Sequence, residues 1–274
     1  MIGVALVMGL GFVGAATLAL WWGQERLVFQ PTPPPYPSVT SRRIDYHADD
    51  GQPLFAYVVK PASAGAPQRT TVMIAFHGNA DLAAARVPWA EEVAARTGVT
   101  VLLPEWRGYA GLTGRPTAAG VERDAQAALR IATDSLGATP AQLAIYGHSL
   151  GSAIATELTA HVHPGVLVLE SPFTSARDMA RIIVARPVEM VWGMISRVHY
   201  DTRERVMHLD VPVWIAHGER DFVIPVRMGQ QLFAAARVKG ELLLVPAAGH
   251  NDIAEASGTE YWTWIERALR GLGS

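Results

Sequence analysis

Gly147-His148-Ser149-Leu150-Gly151 is the stretch of this chain best suited to covalent chemistry. An apolar run, Leu143-Ala144-Ile145-Tyr146, precedes it, and a run of small residues from Ser152 to Leu158 follows. Strand, G-x-S-x-G and helix in succession make a nucleophile elbow. Such a turn strains the serine backbone, and its flanks must be nearly free of side chains, which Gly147 and Gly151 provide. The strain lifts Ser149 Oγ above the sheet, beside the outward-pointing N–H groups of a helix N-terminus. Chance alone produces the pattern in about one chain in ten of this length, so the elbow needs partners. A serine hydroxyl is a poor nucleophile near neutral pH. It requires an adjacent base, itself oriented by a carboxylate.

Six histidines lie beyond Ser149: His161, His163, His199, His208, His217 and His250. His250 sits just past the last buried apolar run, in Ala247-Ala248-Gly249-His250-Asn251-Asp252, and loops at strand C-termini are where reactive groups gather in open α/β sheets. His217 also ends a strand, but it comes before the expected acid. That acid is Asp221, in His217-Gly218-Glu219-Arg220-Asp221, with Glu219 as the local rival and Asp252 too near His250 in sequence. The order serine, acid, histidine is the one found in α/β-hydrolases. Asp221 would accept Nδ1–H of His250, fixing the tautomer and stabilising the imidazolium. An oxyanion hole needs two N–H donors, each worth about 3 kcal/mol in the transition state. Leu150 N–H is one. The other is expected from the loop His77-Gly78-Asn79-Ala80-Asp81, with Asn79 N–H ahead of Ala80 N–H. His77 reads as a structural hydrogen-bonding residue rather than a catalytic one.

The elements that must hold these groups are legible in outline. Ser41 to His47 and Leu54 to Lys60 are extended and flank Asp49-Asp50-Gly51, the pattern of an antiparallel hairpin. Continuous apolar runs follow at Val72–Phe76, Val99–Leu103, Leu143–Tyr146, Val166–Leu169, Val213–Ala216 and Leu242–Val245. Strands buried on both faces of a parallel sheet look like this. Helical stretches alternate with them: Ala83–Arg96, in which Pro88 is either a kink or the true start, then Gly120–Leu136, Val226–Val238 and Gly258–Leu272. Repeated β-α units after an antiparallel start imply an α/β fold with a doubly wound, mostly parallel sheet. From 173 to 208 the rhythm breaks. No strand is evident there, and Arg181 to Val198 reads as helical, serving as a lid or acyl-binding surface or as ordinary peripheral helix.

The chain has 274 residues, half of them apolar, enough for one large domain with an extension. The formal net charge is −2, which disfavours a nucleic-acid partner. There is no cysteine, so disulfides, thiolate metal sites and a cysteine nucleophile are excluded. Residues 1–23 carry no charged side chain and end on Trp21-Trp22-Gly23. About 20 such residues span a hydrocarbon core, and tryptophan suits its interface. A cleaved signal peptide is disfavoured by the lack of a basic start and of a small-residue cleavage site. The expected organisation is an anchor at 1–23, a stiff Pro-rich connector at 24–40, and a catalytic domain at 41–274. Arg26, Arg42 and Arg43 all follow the anchor, which tips a positive-inside count toward a cytoplasmic catalytic domain.

Six motifs in order carry a resemblance. They are Phe76-His77-Gly78-Asn79-Ala80, Pro104-Glu105-Trp106-Arg107-Gly108-Tyr109, the elbow itself, Glu170-Ser171-Pro172-Phe173-Thr174-Ser175, the Asp221 motif, and Gly249-His250-Asn251-Asp252. Together they resemble the α/β-hydrolase superfamily, in its group of single-pass membrane serine hydrolases similar to protein depalmitoylases. The likeness runs from about Thr71 to the C-terminus. It implies a Ser149–His250–Asp221 hydrolase of esters or thioesters that uses no metal and no cofactor. Ser152 and Ala110 stand where many relatives carry glycine. The expected function is hydrolysis of a carboxylic ester of an acyl lipid or similar amphiphile through an acyl-enzyme. Cleavage of acyl-protein thioesters is the alternative, and a non-catalytic binding scaffold is the more distant one.

Overall fold

An eight-stranded sheet runs through the protein. The computed structural model describes residues 2–61, 71–184 and 186–272, without the side chains of 2–13 and 16. Helix α1 (Ile2–Val28) comes first, then β1 (Arg42–His47), β2 (Pro53–Val59), β3 (Val72–Phe76), α2 (Val87–Thr97), β4 (Thr100–Pro104), α3 (Ala118–Arg130) and β5 (Leu143–His148). The chain continues with α4 (Leu150–Val162), β6 (Val166–Glu170), α5 (Ala176–Ile183), α6 (Arg186–Ile195), α7 (Thr202–His208) and β7 (Val213–Gly218). It closes with α8 (Val226–Ala235), β8 (Lys239–Val245), α9 (Ile253–Ser257) and α10 (Thr259–Leu269).

The strand order is β1-β2-β4-β3-β5-β6-β7-β8. β1 pairs antiparallel with β2, and β2 antiparallel with β4. Every later pairing is parallel. β3, β5 and β6 are buried along their whole length because helices cover both faces. Side chains alternate between two cores, as the pleat requires. Ile74, Ile145 and Leu167 pack with α3, α4 and α8. Met73, Ala144 and Val168 pack with α2 and α10. The register aligns Phe76 with Gly147, His148 with Glu170, Glu170 with Ala216, and Gly218 with Val245. The C-terminal ends of five strands therefore lie side by side, and the loops leaving them converge.

Three helical expectations are refined. Ala83–Arg86 is a short 3-10 turn, and the α-helix starts at Val87 with Pro88 in its first turn. Proline there has no N–H for the helix to miss. After Arg130 the chain widens into one π-type turn, Ile131–Ser135, before Leu136. The helical stretch expected over Arg181–Val198 is divided between two helices. α5 stops where Val184 turns extended (φ −120°, ψ 159°). α6 then begins with Pro187, which belongs in a first turn and not in a helix interior.

Helix α1 contains the whole uncharged N-terminal stretch except Met1. Among the described residues no helix is long and apolar enough to cross a membrane. The expected anchor at residues 1–23 lies for its greater part outside the described side chains.

Candidate active site

Ser149 is the hinge between β5 and α4. Its backbone is held at φ 52°, ψ −120°, a region that L-residues avoid. Two glycines permit the turn. A Cβ on Gly147 would collide with the Gly151 carbonyl, and one on Gly151 would collide with the carbonyls of Phe76 and His77. Ser149 N–H donates to the Glu170 carbonyl at 2.9 Å, tying the elbow to the next strand. The strain is thus held by packing on both sides.

Three of the residues singled out in the sequence meet here. His250 Nε2 lies 2.9 Å from Ser149 Oγ. His250 Nδ1 lies 2.7 Å from Asp221 Oδ2. The other carboxylate oxygen, Oδ1, accepts from Val223 N–H and Ile224 N–H, both at 2.8 Å. His217 Nε2 is 3.3 Å from Asp221 Oδ2 and donates to the Ile224 carbonyl at 2.9 Å. Burial alone would raise the Asp221 carboxyl. The hydrogen bonds from His217 and His250 outweigh it and hold the group well below the usual carboxylate range. Asp221 is therefore ionised, and His250 carries its proton on Nδ1, leaving Nε2 free to accept from the serine. The rival Glu219 is exposed. Asp252 accepts Gly249 N–H at 2.7 Å and so shapes the turn that presents His250.

The loop after β3 lies against the nucleophile, since a Cβ on Gly78 would come 3.3 Å from Ser149 Cβ. Leu150 begins α4, so its N–H has no carbonyl one turn back. His77 plays the structural part expected of it. Its Nδ1 donates to the Gly78 carbonyl at 2.8 Å, and its Nε2 faces Glu105 Oε1 at 2.8 Å. Glu105 also accepts Ala83 N–H at 3.0 Å and Trp106 N–H at 3.1 Å. Burial opposes a charge on His77, but the Glu105 carboxylate prevails and raises its pKa.

Several side chains around the site escape sequence reasoning. Asn79 was singled out for its backbone N–H, yet its side chain is equally engaged. Its Nδ2 donates to the Val28 carbonyl at 2.6 Å, while its Oδ1 accepts Gln30 N–H at 2.9 Å and Tyr109 O–H at 2.8 Å. The end of α1 is thereby pinned to the expected oxyanion loop. His148, the variable residue of the elbow, donates from Nε2 to the His250 carbonyl at 3.1 Å. Its Nδ1 accepts from Arg86 at 3.0 Å, and Arg86 pairs with Asp81. Burial, and then the Arg86 charge, push the His148 pKa well down, so this ring is neutral. Ser171 Oγ is a second donor to the His250 carbonyl, at 3.2 Å. The signal for Ser171 was its place in the Glu170-Ser171-Pro172 motif; His148 and Arg86 offered none.

Two cavities meet at Ser149. One, of about 360 Å³, is apolar and is lined by Leu27, Phe173, Met179, Ile183, Val188 and Trp192 among others. The other, of about 600 Å³, is polar and includes Asp81, Arg86, His148, Asn251 and Glu255. Ser149 thus has an apolar space on one side and a polar space on the other.

Comparison with known proteins agrees with this architecture. The sequence profile of the α/β hydrolase family matches residues 72–197. An uncharacterised protein of Mycobacterium tuberculosis is 32% identical over 257 residues, covering 91% of this chain and 88% of that one. The lysophosphatidylserine lipase ABHD12 of Danio rerio is 30% identical over 185 residues, 60% of this chain and 47% of that protein. In three dimensions the Pyrococcus furiosus esterase Pf2001 superposes with a TM-score of 0.71 over 90% of this chain and 98% of its own, at 16% identity, a likeness of fold. The chain belongs to the α/β-hydrolase family. It is a hydrolase, related to the ABHD proteins within that family.

Proposed function

We propose that this protein is a membrane-anchored serine esterase that hydrolyses carboxylic esters of acyl lipids or similar amphiphiles. The observation that carries the reading is the hydrogen-bonded chain Asp221–His250–Ser149 at the boundary between an apolar and a polar cavity. The acyl half of the ester lies in the apolar cavity and the alcohol half in the polar one. Ser149 Oγ attacks the carbonyl carbon while His250 Nε2 takes its proton. The oxyanion is met by Leu150 N–H and Asn79 N–H. His250 then gives the proton to the departing alcohol, and the acyl group remains on Ser149. Water, deprotonated by His250, attacks the acyl-enzyme, and His250 returns that proton to Ser149 Oγ as the carboxylic acid leaves. Asp221 stays ionised throughout and steadies the imidazolium.

The Danio rerio relative is named a lysophosphatidylserine lipase, and we extend only its substrate class, an acyl lipid ester, to this chain. The anchor rests on the 23 uncharged residues that begin the sequence, carried on α1. Arg26, Arg42 and Arg43 after it tip a positive-inside count toward a cytoplasmic catalytic domain. The test is Ser149→Ala in the full chain. Hydrolysis of a short p-nitrophenyl ester and labelling by a fluorophosphonate should both vanish; retention of either removes Ser149 from the reaction.

A further inference from the structure

The apolar cavity has a wall that does not come from the sheet or its loops. Leu20, Leu27 and Val28 of α1 line it together with Ser149. Seven and eight residues apart, they share one face of the helix. The opposite wall is the tip of α5 and α6. Ile183, Val184 and Val188 line the cavity and are also exposed, at 72%, 37% and 41%. A residue that does both forms a rim. Beyond it the surface stays apolar, with Met190 exposed at 56% and Met194 at 77% on α6, and Leu18 at 57% and Trp22 at 62% on α1. An apolar surface continuous with a binding cavity has a specific occupant in view.

The two walls are fixed to each other. Arg197 N–H donates to Gln24 Oε1 at 2.6 Å, and its guanidinium lies 4.5 Å from the centre of the Trp21 ring. Glu25 lies within ion-pair reach of Arg197 at 3.6 Å and of Arg115 at 4.0 Å. Glu189 on α6 accepts from Arg177 at 2.9 Å and Arg181 at 3.3 Å on α5, joining the two helices of the tip. The last turns of α1 are thus a built part of the domain and not a loose tether. Upstream of this docked segment runs the uncharged sequence, and Trp21 and Trp22 mark its end. At about 1.5 Å per residue, Leu20 to Val28 rise only some 12 Å above the start of that interface zone. With residues 1–23 in the bilayer, as proposed above, the cavity falls at the depth where acyl chains meet headgroups.

We propose that the cavity opens into the bilayer between α1 and the α5–α6 tip. The acyl chain of the substrate enters sideways from the lipid, and the exposed face around Ile183, Met190 and Met194 rests in the membrane surface. The occupant is the lipid surface itself. This rests on the anchor reading above and adds the orientation of the domain, the route of the substrate and the surface that touches lipid. The polar cavity on the far side of Ser149 then faces the headgroup and the water through which the released alcohol leaves.

The absence of cysteine makes the test clean, because single cysteines can be introduced into the full chain and labelled with an environment-sensitive fluorophore. The sites are Ile183→Cys, Met194→Cys, Leu18→Cys as the reporter of the anchor, and Met207→Cys as the aqueous reference. Met207 is 44% exposed on α7, which packs on α4 and α8. In phosphatidylcholine vesicles, labels at 183 and 194 should be quenched by spin-labelled lipid and shielded from iodide, as at 18 and opposite to 207. If position 18 is in lipid while 183 and 194 behave as 207 does, the lateral opening is wrong and the anchor stands. If position 18 is also aqueous, both fall. A second measurement uses Met194→Glu and Met190→Glu, which lie outside the cavity. Apparent KM for a vesicle-borne long-chain ester should rise roughly tenfold, the equivalent of about 1.4 kcal/mol, with turnover of a soluble short-chain ester unchanged. A KM for the vesicle-borne ester unchanged from wild type in both variants would overturn the proposal.

Discussion

Replacing Asp221 with asparagine changes one atom, and the structure dictates how the new amide must lie. Oδ1 accepts two backbone N–H groups, from Val223 and Ile224, at 2.8 Å each. An NH2 group there would face two donors, so the amide carbonyl takes that position. The NH2 must then occupy the place of Oδ2, 2.7 Å from His250 Nδ1. It can only donate there, so Nδ1 must accept and the ring proton moves to Nε2. Nε2–H then points at Ser149 Oγ from 2.9 Å and cannot take the serine proton. The wrong tautomer costs about 10⁴ in kcat in a comparable triad, or about 5.4 kcal/mol at the barrier. Volume and hydrogen-bond count are nearly kept, so thermal stability should change far less than activity. The assay is kcat for a p-nitrophenyl ester beside a melting curve for both proteins. A folded Asp221→Asn variant that loses less than tenfold in kcat would refute the assignment of Asp221 and the tautomer argument with it.

Gly151→Ala places a methyl group against the carbonyls of Phe76 and His77, where neither backbone can yield. It should cost about 3 kcal/mol, read as a fall of roughly 6–12 °C in Tm, with activity lost. His77, paired with Glu105, has its pKa raised above the ordinary 6.5. Its contribution to stability is complete below that unfolded value and is lost as pH rises through the folded one. Wild-type Tm should therefore decline above about pH 6.5, and Glu105→Gln should flatten that slope while lowering Tm at pH 6. His148→Phe removes one of two donors to the His250 carbonyl. A kcat loss of about tenfold is expected, equivalent to about 1.4 kcal/mol of misplacement, with Ser171 Oγ still holding the loop.

The strands from β3 onward were open to sequence reading because each is built on a short apolar run ended by a loop. Burial of β3, β5 and β6 on both faces makes that signal continuous. Ser149, Asp221 and His250 were legible for a related reason: strand-end loops in this topology converge, so position along the chain implies position in space. What sequence hid was contact between segments far apart. Arg86 reaches His148 across 62 positions, and Arg197 meets Gln24 across 173. No local pattern encodes such pairs. Apolar spacing runs on through the break between α5 and α6 and hides it, although Pro187 suits the first turn of a helix.

Asn79 separates the sequence reading of the oxyanion loop from the structural one. If the residue contributes only its backbone N–H, Asn79→Ala should leave kcat intact, since alanine keeps that group. The side chain argues otherwise. It makes three hydrogen bonds, to the Val28 carbonyl, Gln30 N–H and Tyr109 O–H. Each is worth about 1 kcal/mol, and together they bind the last turn of α1 to the loop that carries the proposed donor. Without them the loop keeps its anchors at His77, through Glu105, and at Asp81, through Arg86, but loses its tie to α1. A donor displaced by a fraction of an ångström meets the oxyanion poorly in the transition state but does not alter ground-state binding. Asn79→Ala should therefore lower kcat by about tenfold or more with little change in KM, because one well-placed donor is worth about 3 kcal/mol. Tyr109→Phe removes a single bond of the three, and Gln30 N–H retains Asn79 Oδ1, so its loss should be smaller. A kcat for Asn79→Ala equal to wild type would show that α1 and the oxyanion loop are merely neighbours; a loss graded from Tyr109→Phe to Asn79→Ala would make the helix part of the catalytic scaffold.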